Sequence, residues 1–140
     1  MKNVLVTGGA GFIGSNFIRW LMHHEPSIHV TNLDALTYAG RRENLADLEH
    51  QAHRYTFIHG DIKNTQLVRT IIRDQYVDTI VHFAAESHVD RSILAPTAFI
   101  ETNVNGTISL LEAARAVWLG EKIVPPELTR FHHVSTDEVF

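Results

Sequence analysis

The sequence predicts an α/β domain, a doubly wound parallel sheet with helices on both faces. Three observations predict it. Short apolar runs alternate with amphipathic stretches along the 140 residues. The first apolar run turns on glycines straight into a helical pattern, in Val4-Leu5-Val6-Thr7-Gly8-Gly9-Ala10-Gly11-Phe12-Ile13-Gly14. The second run closes on an acid, Asp34, twenty residues after Gly14.

The elements follow in order. Residues 3–7 read as a buried parallel strand, apolar without alternation. A helix runs on from Ser15, its apolar face marked by Ile13, Phe17, Ile18, Leu21 and Met22, and stops before Pro26. Residues 28–33 form strand two; 37–40 are a loop and 43–51 a short helix. Residues 55–59 are strand three. Asn64 is the expected cap of a helix through Asp74, with Leu67, Val68, Ile71 and Ile72 facing the core. Residues 79–83 are strand four. A long helical pattern then covers 97–118, where Ile100, Val104, Ile108, Leu111, Ala114 and Trp118 recur at helical spacing; Gly120 is its expected stop. A loop with Pro125-Pro126 leads to strand five at 131–135. Right-handed crossovers give the strand order 3-2-1-4-5, a Rossmann-type sheet.

The glycines say what such a sheet would bind. Gly9, Gly11 and Gly14 fit G-x-G-x-x-G, and Gly8, Gly11 and Gly14 fit the looser G-x-x-G-x-x-G. A strand turning on glycines into a helix offers unpaired N–H groups and the positive end of a dipole to a pyrophosphate. A glycine turn serving chain reversal alone would look the same; the flanking strand, the helix and the spaced acid favour a dinucleotide site. At the end of strand two, Asp34 could accept both ribose hydroxyls of an adenosine half and would repel a 2′-phosphate, so the expected cofactor is NAD rather than NADP. An ordinary turn aspartate is the alternative, and Arg41 and Arg42 downstream could soften the preference.

Bulk properties exclude other classes. Twelve basic against sixteen acidic residues give a net charge of −4 with no basic stripe, so nucleic acid is not an expected partner. With no cysteine there is no thiolate chemistry. The ten histidines are scattered, and His23-His24 and His132-His133 are adjacent rather than one helical turn apart, so no metal site is expected. No stretch approaches the roughly 20 apolar residues of a membrane helix, and a cytoplasmic location is the expectation. The whole chain reads as one incomplete domain. It stops among the strand ends where ligands sit in such sheets, so an N-terminal part of a longer protein is expected.

Three more segments fall at carboxyl ends of strands. Asp61-Ile62 could bracket an adenine, or be an aspartate opening a helix beside a core isoleucine. In the segment from Ala84 through Ile93, small Ala84 and Ala85 would let backbone approach a cofactor ribose, and Ser87 could bond a sugar hydroxyl; a polar loop running into a helix is the plain alternative. Thr102 and Asn103 on the long helix either contact the cofactor-side loops or make local helix hydrogen bonds. Finally Ser135-Thr136-Asp137-Glu138 places two carboxyls at a strand end, an acid and a base if the chain has left extended geometry there, a solvated acidic loop otherwise.

Taken together, Thr7 through Gly14, Leu36-Thr37-Tyr38-Ala39-Gly40, Ala84 through Ile93 and Ser135 through Val139 resemble the dTDP-glucose 4,6-dehydratases, a family of extended short-chain dehydrogenase/reductases. The resemblance implies an NAD site lined by Phe12, Ile13, Asp34, Ala35, Leu36, Thr37, Asp61, Ile62, Ala84, Ala85 and Thr102. It implies that Glu138 removes the C5 proton of a 4-keto sugar, that Asp137 protonates the departing C6 hydroxyl, and that Thr136 and Ser87 hold the substrate, dTDP-glucose. It also implies a homodimer packed through long helices, one of them matching 97–118. The family's Tyr and Lys, four residues apart, have no counterpart: Tyr38, Tyr55 and Tyr76 are followed at that distance by Arg42, His59 and Ile80. The 140 residues alone are therefore expected to be inactive. Another NAD-dependent nucleotide-sugar enzyme, an epimerase or decarboxylase, and a non-catalytic NAD-binding module are the remaining alternatives.

Overall fold

The apolar runs become five strands, β1 (Asn3–Thr7), β2 (His29–Asp34), β3 (Tyr55–His59), β4 (Thr79–His82) and β5 (Arg130–His133). The computed structural model describes residues 1–88 and 93–136. The sheet has the expected order β3-β2-β1-β4-β5, and every neighbouring pair is parallel. Register aligns Thr7 with Leu33 on one side and with His82 on the other, and His82 with His133. These carboxyl ends form the floor of a crevice at the β1/β4 switch in strand order. Strand five is displaced from its expected position by one to two residues: pairing with β4 begins at Arg130 and ends at His133.

Alternation along β1 divides the core in two. Val4 and Val6 pack with Val30 and Val81 against Ile18, Leu21 and Met22 of α1 (Phe12–His24) and against Leu45 and Leu48. Leu5 on the other face packs with Leu33 and Ile80 against α2 (Thr65–Asp74) and a long helix, α3, over residues 96–121. Asn64 caps α2 as expected, its Oδ1 accepting the Leu67 N–H at 3.0 Å. The C-terminus of α1 is closed by Arg54, whose guanidinium donates to the Met22 and Glu25 carbonyls at 2.9 and 3.0 Å.

Three local expectations are corrected. The short helix over 43–51 is a 3₁₀ segment, Arg42–Leu48, broken at Leu45 (φ −128°) so that Leu45 and Leu48 both reach the core. Ile13 is not on the buried face of α1; it lies in the first turn, above the strand ends, and is 64% exposed. The long helix does not stop at Gly120. It runs to Glu121 and ends on Lys122 in the left-handed region (φ +54°), whose N–H bonds to the Val117 carbonyl. The chain stays helical to that point because Val117 and Trp118 are buried and the Trp118 indole N–H donates to the Val77 carbonyl at 2.7 Å.

Helix α3 is not uniform. Turns of α-helix, Pro96–Phe99 and Thr107–Arg115, alternate with wider π turns, Ile100–Gly106 and Ala116–Glu121. Its apolar stripe splits between two environments: Ala114 and Trp118 are core, whereas Ile100, Val104, Ile108 and Leu111 are about half exposed. Among the described residues, no helix is long and apolar enough to cross a membrane.

Candidate functional site

The crevice is built on the turn from β1 to α1. Gly8 adopts φ +71°, and a Cβ there would lie 2.6 Å from the Ala84 backbone nitrogen, so only glycine lets the turn lie against the segment leaving β4. A Cβ at Gly14 would strike the Gly8 carbonyl, and one at Gly9 the side chains of Asn32 and Ile18. Gly11 differs. A Cβ there would meet only the Gly8 oxygen, at an ordinary 3.4 Å, so no protein contact accounts for its missing side chain.

Gly11 is also the N-cap of α1. No side chain caps this terminus, and its first turn carries no acid. The N–H groups there are left for solvent or an anion. Phe12 is 81% exposed beside them. Leaving Phe12 and Ile13 uncovered forgoes roughly 1.5–3 kcal/mol each, a cost that a bound molecule with an apolar face would remove.

Asp34 turns into this mouth. Its carboxylate is nearly buried and accepts the Ala10 N–H on Oδ2 and the Leu36 N–H on Oδ1, both at 2.8 Å. The loop that follows folds over it: Leu36 sits at φ +51°, and a Cβ on Gly40 would lie 2.6 Å from Asp34 Oδ1. The Ala10 carbonyl in turn accepts the Arg41 N–H and the Asn44 side-chain amide, at 3.1 and 2.8 Å. The glycine turn is thus braced by Asp34 from one side and by the Arg41 backbone and the Asn44 side chain from the other.

On the far side of β1 a chain of hydrogen bonds runs beneath the crevice. Thr7 Oγ1 lies 2.7 Å from His82 Nδ1, and His82 Nε2 lies 3.0 Å from Thr107 Oγ1. The Thr107 hydroxyl donates to the Asn103 carbonyl at 2.7 Å. Its hydrogen is therefore spent, so His82 carries its proton on Nε2 and accepts from Thr7 on Nδ1. Burial, aided by His133, pushes the imidazole down to about 4 and keeps it neutral. The Asn103 amide continues the chain, accepting the Glu86 N–H at 2.8 Å and donating to the Glu86 carbonyl at 2.9 Å.

The residues singled out by sequence fall into groups. Gly8, Gly11, Phe12, Ile13, Gly14 and Asp34 converge on one mouth. Ala35 and Leu36 are half-buried beside it, with Thr37 exposed. Asp61 lies past β3, its carboxylate accepting the Lys63 N–H at 2.9 Å. The Ile62 side chain does not cover a ligand face: it is 4% exposed, in the core against Gly106, which is the core isoleucine of the alternative reading. Ala84, Ala85 and Ser87 line the segment leaving β4, with Ala85 and Ser87 exposed. Of the two polar residues on α3, Asn103 contacts that segment, and Thr102 is half-buried. Ser135 and Thr136 are exposed past β5. Asp137 and Glu138 lie outside the described residues, as do 89–92 of the Ala84–Ile93 segment. Sequence reasoning missed the part played by His82 and Thr107. The available signal was a histidine ending an apolar strand beside a strand that ends in threonine.

Comparison with known proteins points the same way. The chain is 50% identical over 137 residues to dTDP-glucose 4,6-dehydratase 1 of Escherichia coli, covering 98% of this chain and 37% of that protein. A dTDP-glucose 4,6-dehydratase of Bacillus anthracis, solved in complex with NAD, superposes with a TM-score of 0.81 at 38% identity, over 99% of this chain and 39% of that one. The Streptomyces venezuelae dehydratase, also solved with NAD, gives 0.74 at 52% identity, over 80% of this chain and 35% of that one. The chain therefore spans little more than a third of these relatives. The family model described as GDP-mannose 4,6 dehydratase matches from Leu5, in the strand that feeds the glycine turn, to residue 140, and on that match the chain belongs to the GDP-mannose 4,6 dehydratase family.

Proposed function

We propose that this chain is the NAD-binding part of a dTDP-glucose 4,6-dehydratase. The observation that carries the reading is the uncapped mouth of α1 at Gly11, open where a phosphate needs room and faced by the Asp34 carboxylate. Phe12, Ile13 and the Gly8–Gly14 backbone receive the pyrophosphate, with N–H groups already oriented. Asp34 keeps lone pairs beyond its two backbone partners and takes the adenosine ribose hydroxyls. Ala35, Leu36, Thr37, Asp61 and the Ile62 backbone border the adenosine; Ala84, Ala85 and Thr102 border the other half. Bound NAD would supply a hydride acceptor for the sugar C4 and the hydride returned to C6. Ser87 and Thr136 hold the sugar, Glu138 takes the C5 proton and Asp137 gives one to the leaving C6 hydroxyl. The substrate-binding part and the rest of the machinery belong to the longer protein.

Two titrations and one turnover assay test this. NAD should bind the chain at least tenfold more tightly than NADP; equal or tighter NADP binding overturns the ribose assignment, and binding of neither overturns the site. In the longer protein, Asp137→Asn and Glu138→Gln should cripple dehydration of dTDP-glucose, and unchanged dehydration by both would refute their roles.

The longer protein is proposed to be a cytoplasmic homodimer. The half-exposed stripe Ile100, Val104, Ile108 and Leu111 runs along one face of α3 and suits a second copy of the same helix. Sedimentation of the longer protein should give a dimer, and Ile108→Lys should shift it toward monomer.

A further inference from the structure

We propose that Thr107, acting through His82 and Asn103, is a positioning residue for segment 84–88 and sets how that segment meets the nicotinamide half of the dinucleotide. The inference rests on the NAD reading and adds to it a residue that touches no ligand.

Three observations carry it. First, the hydrogen bonds form one ordered path. Thr7 donates to His82, His82 to Thr107, Thr107 to the Asn103 carbonyl, and the Asn103 side chain grips both backbone groups of Glu86. From Thr7 to the Asn103 carbonyl each group gives and takes in one sense, and Thr107 is the link at which that sense is set; the Asn103 side chain then both accepts from and donates to Glu86. Second, the path joins two sides of the crevice. It starts at the residue before Gly8 and ends between Ala85 and Ser87. Third, its first link is held where water does not compete: Thr7 and His82 are 0% and 2% exposed, and Thr107, Asn103 and Glu86 are half-buried.

The location assigns the ligand half. A dinucleotide in such a sheet straddles the switch point, with its adenosine over the acid that closes β2. Segment 84–88 leaves β4, on the opposite side of β1, and so faces the remaining half. The π turn Ile100–Gly106 lies just before Thr107. There the Asn103 carbonyl takes the Thr107 hydroxyl, a bond that ordinarily competes with regular helix. Wide turns of this kind recur at functional sites. Glu86 needs the asparagine amide in one orientation, and removing the hydroxyl frees the carbonyl of that same residue.

Thr107→Val keeps the shape and removes the hydroxyl; Thr107→Ser keeps the hydroxyl and removes a methyl. Affinities for NAD and for ADP, which lacks the nicotinamide riboside, are measured by calorimetry on the full chain. Thr107→Val should weaken NAD about tenfold and leave ADP within twofold, and Thr107→Ser should restore NAD to within about threefold of wild type. His82→Gln, which loses the acceptor for Thr7, should show the same selective loss and carries the test if the valine variant does not fold. Unchanged NAD affinity in folded variants overturns the proposal, as does a parallel loss of NAD and ADP, which marks a merely loosened fold. A wild-type chain that binds NAD no more tightly than ADP overturns the proposal while the nucleotide site stands. Binding of neither ligand by wild type removes the NAD reading and this inference with it.

Discussion

Acid should weaken this fold through the His82 imidazole. His82 stays neutral in the folded chain down to about 4, whereas in the unfolded chain it protonates near 6.5. Between those values the unfolded state binds more protons, so stability falls as acid is added. Taking the two pKa values at face value, the loss from His82 between pH 8 and pH 5 is about 2 kcal/mol. His29, also pushed down by burial, acts in the same direction, so wild type alone does not isolate the effect. His82→Gln does. It loses the acceptor for Thr7 and should cost about 1 kcal/mol at pH 8. It does not titrate, so at pH 5 the glutamine variant should be the more stable of the two. Urea unfolding of both proteins at half-unit pH steps reads the difference directly. Parallel stability curves, with no crossing between pH 8 and pH 5, would refute the reasoning.

Other predictions follow from the crevice and the core. Gly11→Ala should leave the unfolding free energy in urea within about 0.5 kcal/mol of wild type yet weaken NAD binding, because the new methyl occupies ligand space. Gly8→Ala, at φ +71° against the Ala84 backbone, should destabilise by about 2 kcal/mol or more in the same unfolding assay; a stable Gly8→Ala would contradict the close approach of the two loops. Trp118→Phe leaves the Val77 carbonyl without its indole donor and should cost about 1–3 kcal/mol, with ADP affinity unchanged. Asp34→Asn exchanges one acceptor for a donor facing a backbone N–H, so it should weaken ADP as well as NAD and fail to improve NADP binding; improved NADP binding would show that the acid only excludes phosphate.

Much of this molecule was legible because local chemistry and tertiary role coincide. Val4, Leu5 and Val6 are apolar without alternation, as a strand covered on both faces must be, and the sheet order follows from the crossover rule. Asn64 caps α2 through a bond within one turn, which a sequence window contains. The glycines and Asp34 were legible as a pattern, but not the reason for each glycine. Gly8 and Gly14 answer to backbone contacts, and Gly11 to none. The misses share a cause. Ile13 and Ile62 are both apolar, and nothing within either window says that one faces the crevice and the other the core. Gly120 is a strong local stop, overridden because Trp118 is anchored to Val77 forty-one residues away. His82 and Thr107 meet only after β4 is laid beside β1 and α3 crosses it, so no window of sequence holds both ends of that contact.

Helix α1 is electrically lopsided, and Arg54 makes it so. The helix dipole places about half an elementary charge of each sign at its two ends. At the negative pole a guanidinium from the start of the third strand neutralises the exposed carbonyls, with His23 and His24 close by. At the positive pole no capping side chain and no acid of the helix's own first turn answers it, and the Asp34 carboxylate opposite is held by the Ala10 and Leu36 N–H groups. This half-charge, with its N–H groups uncapped, opens onto the crevice, so the rod works as a one-ended attractor for anions. A residue some 20 Å away along the rod thereby leaves the pole facing the glycines as the end that no side chain of the helix caps.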